Sequence, residues 1–248
     1  MKKLIYLLAL WFLLDWLFFN KVKPFIIDQF GFGAKQKTTD TTAIDNYNYT
    51  YGLDISHYQG NETSLPFKKK DNISFVICKA TQGDTSADPM FRYNLKNIQK
   101  EKGLIWGAYH FYIGKDSGES QANHFLKVSG PFANDNLPPI VDVEDSLINS
   151  HQLLRFLSVI EKATHRTPLI YTNYETANAY LRDTAFAKYP LWIAHYNNTA
   201  PLVLPGIWKG QVWDFWQKSA HYYINSTAND FDVFNGSVED LKKFVSSH

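Results

Sequence analysis

Residues 138–146 read Pro138-Pro139-Ile140-Val141-Asp142-Val143-Glu144-Asp145-Ser146. Ile140, Val141 and Val143 make a short apolar run with a proline pair before it and polar residues after it, the pattern of a fully buried strand. Side chains alternate along a strand, so Asp142 and Glu144 share one face and Val143 takes the other. At a rise of about 3.3 Å per residue their Cα atoms stand about 6.6 Å apart, and the two carboxyl ends can converge on one small group. Like charges that close disfavour joint ionisation, which keeps one acid protonated and makes it a candidate general acid near neutral pH. An isolated Asp-x-Glu is more often a pair of solvated loop acids. The surrounding chain decides between the two.

Outward from this strand, extended runs and helical stripes alternate. Before it come strands over Tyr51–Ser56, Ser74–Ala80 and Leu104–Tyr112. Between them lie a helix over Asp88–Lys102, with Phe91, Leu95 and Ile98 on one face and Gly103 as its stop, and a helix over Ser117–Val128. After it, Ser150–His165 is the clearest helix, with Leu153, Phe156, Leu157 and Ile160 in one stripe. A strand at Leu169–Tyr171 and a helix from Tyr174 to Leu181 follow. Leu191–His195, Val212–Trp216 and Phe231–Phe234 are three more strands with little helix between them, and Ser237-Val238-Glu239-Asp240 caps a last helix. This pattern predicts an α/β fold: a modified TIM-like (β/α) barrel of eight strands with few helices in its last third.

Composition bounds the function. A hydrophobic fraction of 45% supplies a large core, and a net charge of +1 without any long basic run gives no electrostatic footprint for nucleic acid. The single cysteine, Cys78, sits in the apolar run Phe75-Val76-Ile77-Cys78 and reads as a buried strand thiol. The 16% aromatic share exceeds what packing alone asks for and suits stacking on flat sugar faces.

Lys2 and Lys3 precede the apolar run Leu4–Phe19, broken only by Asp15, which is the charged and hydrophobic layout of an export signal. No small-x-small cleavage pattern follows. As a helix the run measures about 24 Å, short of a roughly 30 Å hydrocarbon core, and Asp15 at its centre costs about 2.5–3.5 kcal/mol. Residues 1–23 are therefore expected to be an N-terminal hydrophobic anchor helix or a cleaved signal peptide, 24–49 a polar Thr-rich linker, and 50–248 the folded barrel. Either alternative places the domain outside the inner membrane, in the cell envelope or secreted.

In such a barrel the chemistry sits at the carboxyl ends of the strands. Asp54 closes the first strand, Lys79-Ala80-Thr81-Gln82-Gly83 the second, and Tyr109-His110-Phe111-Tyr112 the third. Asp142 and Glu144 close the fourth, Tyr171-Thr172-Asn173 the fifth, and Trp192-Ile193-Ala194-His195-Tyr196 the sixth. Trp213-Asp214-Phe215-Trp216-Gln217 closes the seventh, and Asn229-Asp230-Phe231-Asp232 leads into the eighth. Acids and rings around one mouth suit a polysaccharide cleft, with acids for the chemistry and rings such as Trp192 and Trp216 for stacking. Strand alternation leaves open which of Trp213 and Trp216 faces inward. His57, His110 and His195 read as structural or hydrogen-bonding groups, and no His/Cys cluster has metal-ligand spacing.

Seven of these stretches together resemble glycoside hydrolase family 25, the muramidase-type lysozymes. They are Asp-Ile-Ser-His-Tyr-Gln-Gly at 54–60, Phe-Val-Ile-Cys-Lys-Ala-Thr-Gln-Gly at 75–83, Gly-Ala-Tyr-His-Phe at 107–111, Pro-Pro-Ile-Val-Asp-Val-Glu at 138–144, Ile-Tyr-Thr-Asn at 170–173, Leu-Trp-Ile-Ala at 191–194 and Trp-Asp-Phe-Trp-Gln at 213–217. The resemblance implies hydrolysis of the β-1,4 bond from N-acetylmuramic acid to N-acetylglucosamine in peptidoglycan. Peptidoglycan glycan strands would then be the partner, with no cofactor and no metal, and the chain working as a monomer. By the same resemblance Glu144 matches the general acid/base, Asp142 its partner carboxylate, and Asp54 and Asp230 two further cleft acids. Tyr109, Tyr171, Trp192, Trp216, Lys79 and Gln217 are the candidate substrate contacts. Gln82 stands where the family usually carries Glu, and Asp232 where Asn is common, which leaves the choice between Asp230 and Asp232 open. Either a carboxylate or the substrate's own 2-acetamido oxygen could stabilise the oxocarbenium-like centre, with retention of configuration in both cases. Two alternatives stand beside this: another Asp-x-Glu N-acetylhexosaminidase such as a chitinase, and a wall-binding module without activity.

Overall fold

The computed structural model describes residues 48–60, 72–224 and 227–248. The expected anchor helix or signal peptide and the polar linker up to residue 47 lie outside the described residues. Among the described residues no helix is long and apolar enough to cross a membrane.

One nine-stranded sheet closes on itself. Its strands are β1 (Thr50–Ile55), β2 (Ile73–Gln82), β3 (Ser86–Ala87), β4 (Ile105–Phe111), β5 (Ile140–Val143), β6 (Leu169–Asn173), β7 (Leu191–Ala194), β8 (Phe215–Ile224) and β9 (Thr227–Phe234). The two-residue β3 only folds back on the end of β2, so eight strands form the barrel. Neighbours from β1 through β2 and β4 to β8 run parallel. β9 runs antiparallel to both β8 and β1 and completes the ring.

Helices α1 (Phe91–Ile98), α2 (Gly118–Ser129), α3 (Ser150–Thr164) and α4 (Tyr174–Tyr180) follow the middle strands, and α5 (Val238–Ser247) ends the chain. Among the described residues between α4 and α5 the helical elements are two short 3₁₀ turns, at Thr184–Lys188 and Gly206–Trp208. Polar caps start most of the helices: Ser117 accepts the Ser120 N–H, Asn149 those of His151 and Gln152, and Asn173 that of Thr176. α5 opens on a reciprocal Ser237–Asp240 capping box.

Alternation along the strands sorts side chains into two buried layers. Phe75, Ile77, Ile140, Leu169, Trp192 and Phe215 belong to the layer inside the barrel, together with Leu241, Phe244 and Val245 of α5. α5 thus plugs the amino-terminal end of the parallel strands and leaves their carboxyl ends open. The alternate residues, among them Val76, Val141, Ile193 and Trp216, belong to the outer layer, together with the buried faces of α1, α2 and α3. Inside the ring Gly52 is required by space: a Cβ there would lie 2.2 Å from the Phe75 ring.

Three sequence expectations need correction. The first helix is shorter than Asp88–Lys102, because Asp88 turns its side chain onto the Met90 N–H instead of entering the helix. Val212–Trp216 is not a strand at its start: Val212 is 71% exposed, and Asp214 is held beside Leu191 by its backbone and its carboxylate. β8 instead begins at Phe215 and runs on through Lys218–Tyr223, a polar arm with no apolar alternation to betray it. β9 likewise begins at Thr227, so Asp230 lies within a strand.

Candidate active site

A cavity of about 220 Å³ opens at the carboxyl ends of the parallel strands. Asp54, Asp142, Glu144 and Asp230 line it, with Lys79, Tyr109, Tyr171, Trp192 and Gln217. Strand register explains the convergence. Phe111, Asp142, Tyr171, Trp192 and Phe215 are successive partners across β4 to β8, so Asp142 sits on one level with a run of rings. Asp54 pairs with Asp230 across β1 and β9, and the reversed direction of β9 is what brings its first half to the mouth.

The acids differ in depth. Asp142 is buried, and its Oδ1 has no protein hydrogen-bond partner. Loss of hydration pushes its carboxyl well above the usual range, the Glu144 charge pushes it further, and Lys79 opposes. Glu144 is exposed to solvent by area, yet its carboxyl stands between the cleft walls, and partial dehydration still raises it, again against Lys79. Dehydration raises both members of the pair, and Asp142 is the more deeply buried of the two. Two acids this close titrate as a pair that retains a proton.

Asp54 is buried and raised first by dehydration and then by the Asp230 charge, while the Gln217 hydrogen bond lowers it. Gln217 Nε2 donates to Asp54 Oδ2 at 2.7 Å, and Gln217 Oε1 accepts from the Tyr171 and Tyr196 hydroxyls at 2.8 Å each. Asp230 is pushed up to about 6 by dehydration and by Glu144. Lys79 is the counter-charge. Its ammonium donates to Gln82 Oε1 at 2.8 Å and lies 4.7 Å from the centre of the Phe111 ring.

Trp192 forms part of the wall, edge-on to Tyr171 with ring centres 4.6 Å apart. Trp216 does not line the cavity: it is buried in the outer layer, T-shaped against Trp213, with Nε1–H on the His195 carbonyl. Its expected stacking role is corrected, because Trp216 is the outward neighbour of the inward Phe215 and Gln217. Asp232 is fully buried behind the cavity, so between the two candidate acids of β9 it is Asp230 that faces the opening. The histidines have structural surroundings. His57 Nδ1 lies 2.6 Å from the buried Asp88 carboxylate, and His110 bridges Thr81 and Gln121.

Sequence reading placed Tyr58 and Tyr196 near strand ends without naming them as substrate contacts. Both line the cavity and both are largely exposed, at 79% and 62%, which makes them the rings most open to a flat ligand. Their signal was position alone: each lies in the few residues after a strand that ends at the mouth.

A closed parallel barrel with its acids gathered at the strand ends is the layout of a glycoside hydrolase. The model of the glycosyl hydrolases family 25 matches residues 53–227. Lysozyme M1 of Streptomyces globisporus is 32% identical over 235 residues, spanning 85% of this chain and 75% of that protein. A solved family 25 glycosyl hydrolase from Bacillus anthracis superposes with a TM-score of 0.72 at 26% identity, covering 86% of this chain and 99% of that one. The family 25 lysozyme from Aspergillus fumigatus gives 0.69 at 32% identity, covering 81% and 100%. The chain belongs to glycosyl hydrolase family 25, as a homologue of its lysozymes and muramidases.

Proposed function

We propose that this chain is an exported muramidase that cuts the β-1,4 bond between N-acetylmuramic acid and N-acetylglucosamine, with Glu144 as general acid/base and Asp142 as its partner. The observation that supports it most is the joint placement of Asp142 within β5 and Glu144 just past its end: one cavity, one acid deep and one at the rim. A glycosidic oxygen in the cleft reaches the exposed Glu144 first. Asp142, deeper and without a donor on Oδ1, suits an acetamido N–H. That hydrogen bond would stabilise the ionised form of Asp142 and shift the shared proton to Glu144, where the leaving oxygen needs it. The acetamido oxygen, aimed by the N–H bond to Asp142, then attacks the anomeric carbon as the leaving oxygen takes the Glu144 proton, and Glu144 as a base activates the water that opens the intermediate. Asp54 and Asp230 add negative charge opposite the developing cation, and Tyr58 and Tyr196 offer faces for the sugar rings. The Lys2/Lys3 and Leu4–Phe19 pattern supports export, with the barrel tethered outside the membrane or released by cleavage.

Digestion of purified peptidoglycan with product analysis by mass spectrometry tests this reading. Fragments with muramic acid at the reducing end are expected. Fragments ending in N-acetylglucosamine, or turnover of chitin alone, would select the chitinase-like alternative, and binding without any products would select a non-catalytic wall module.

A further inference from the structure

Asp232 is fully buried on β9, with Gly52 of β1 and Gln217 of β8 as its register partners. Its Oδ1 accepts the Trp192 Nε1–H at 3.0 Å. Its Oδ2 is buried and receives no donor from the protein. An ionised carboxylate half-bare of donors, next to a second acid, is the costliest form this side chain can take.

The second acid is Asp54, within hydrogen-bonding reach. The bonds around it indicate where the proton lies. Two phenol donors on Gln217 Oε1 turn the amide so that Nε2–H faces Asp54, which makes Asp54 an acceptor on that side. A proton on Asp232 Oδ2 then serves both residues, giving Asp232 the bond it lacks and Asp54 a second donor. One proton shared between the two acids completes the chain of bonds from Trp192 through Asp232, Asp54 and Gln217 to Tyr171 and Tyr196, and depth places it on Asp232: Asp232 is fully buried behind the cavity, whereas Asp54 lines the opening where water can solvate a charge.

We propose that Asp232 is a neutral acid whose Oδ2–H is donated to the Asp54 carboxylate, making Asp232 a positioning residue that fixes how Asp54 faces the cleft. The inference rests on the reading of Asp54 as a cleft acid. The charged neighbours agree with it: Asp54 on β1 and Asp230 on β9 itself are both acids, while β8 and β7 contribute the uncharged Gln217 and Trp192. Burial, then Asp54 and Asp230, push the Asp232 carboxyl well above the usual range, against the pull of the Trp192 bond.

Infrared spectra of the full-length chain and of Asp232→Asn at neutral pH test the proton directly and need no activity. Loss of a neutral-carboxyl C=O band in Asp232→Asn is expected; loss of a carboxylate band instead overturns the proposal. Asn keeps a donor for Asp54 and Leu does not, so Asp232→Leu is expected to lower kcat about 10- to 100-fold, as for one lost charge-assisted hydrogen bond, and Asp232→Asn to recover most of that loss. Equal damage by both substitutions overturns it. Stability gives a third readout. A folded-state value raised above 3.8 means that the stability Asp232 contributes is lost as pH rises. The melting temperature of Asp232→Asn should therefore gain on wild type with rising pH, and a constant difference overturns the proposal. If no form of the protein cuts peptidoglycan, the muramidase reading fails while the infrared and melting results still decide the proton.

Discussion

Asp54 and Asp230 are Cα partners across the antiparallel pair β1–β9, so acids separated by most of the barrel's sequence stand side by side at its mouth. The Asp230 charge raises Asp54, and the Glu144 charge raises both. Burial, then the Glu144 charge, pushes Asp230 up to about 6. Because this lies above the ordinary 3.8, its contribution to stability is full below 3.8 and is lost as pH rises through about 6. Asp230→Asn removes that titration. Melting curves from pH 3.5 to 7, on the order of the window set by these values, should show wild type losing ground to Asp230→Asn, with the difference levelling above pH 6.

Glu144→Gln should lower turnover of peptidoglycan by roughly 10²–10⁴-fold, the usual contribution of a general acid/base. Gln keeps the size of the side chain at an exposed site, so sedimentation with insoluble cell walls should be unchanged. Reducing-end release and wall co-sedimentation, measured on one preparation, check both halves. Turnover close to wild type would remove Glu144 from the chemistry.

The acid pair was legible because strand alternation is a local rule: two residues separated by Val143 must share a face whatever the rest of the chain does. The eight-strand count was legible for the same reason, strand by strand. What local pattern does not encode is direction and reach. Nothing in Phe231–Phe234 says that this strand runs against the others, and Lys218–Tyr223 pairs through backbone groups without an apolar face. Trp216 shows the limit of alternation: its own face could be known only after Phe215 was known to start the strand. The charge that opposes the burial of both acids was also out of reach, since Lys79 sits on β2, with β4 between it and the strand of Asp142.

Lys79 is the opposing charge for both members of the pair, lowering Asp142 and Glu144 against their burial. Lys79→Met keeps much of the stem that covers Phe111 and removes the charge. Both carboxyls should then hold their protons to higher pH, so the alkaline limb of kcat/KM should move up. A pH profile on soluble glycan fragments measures this. A limb that stays in place, or moves down, would mean that Lys79 does not act on the acid pair.

Phe244 tests whether the bottom of the barrel matters to the chemistry at its mouth. Its ring sits 5.4 Å from that of Phe215, 5.7 Å from Phe234 and 4.3 Å from His248, as the stopper that α5 inserts under the inner layer. Phe244→Ala leaves a cavity among well-packed rings, a change that costs about 3–5 kcal/mol. For a domain of this size that corresponds to a fall of roughly 6–20 °C in melting temperature. None of the cleft acids lies on α5, and rigid packing of Phe215 and Trp192 separates the plug from Asp142. At temperatures where the variant is folded, the pH profile and product pattern should therefore match wild type. Calorimetry beside a reducing-end assay decides it: a shifted pH profile at full folding would show that the plug sets the geometry of the acids and is more than a support for the sheet.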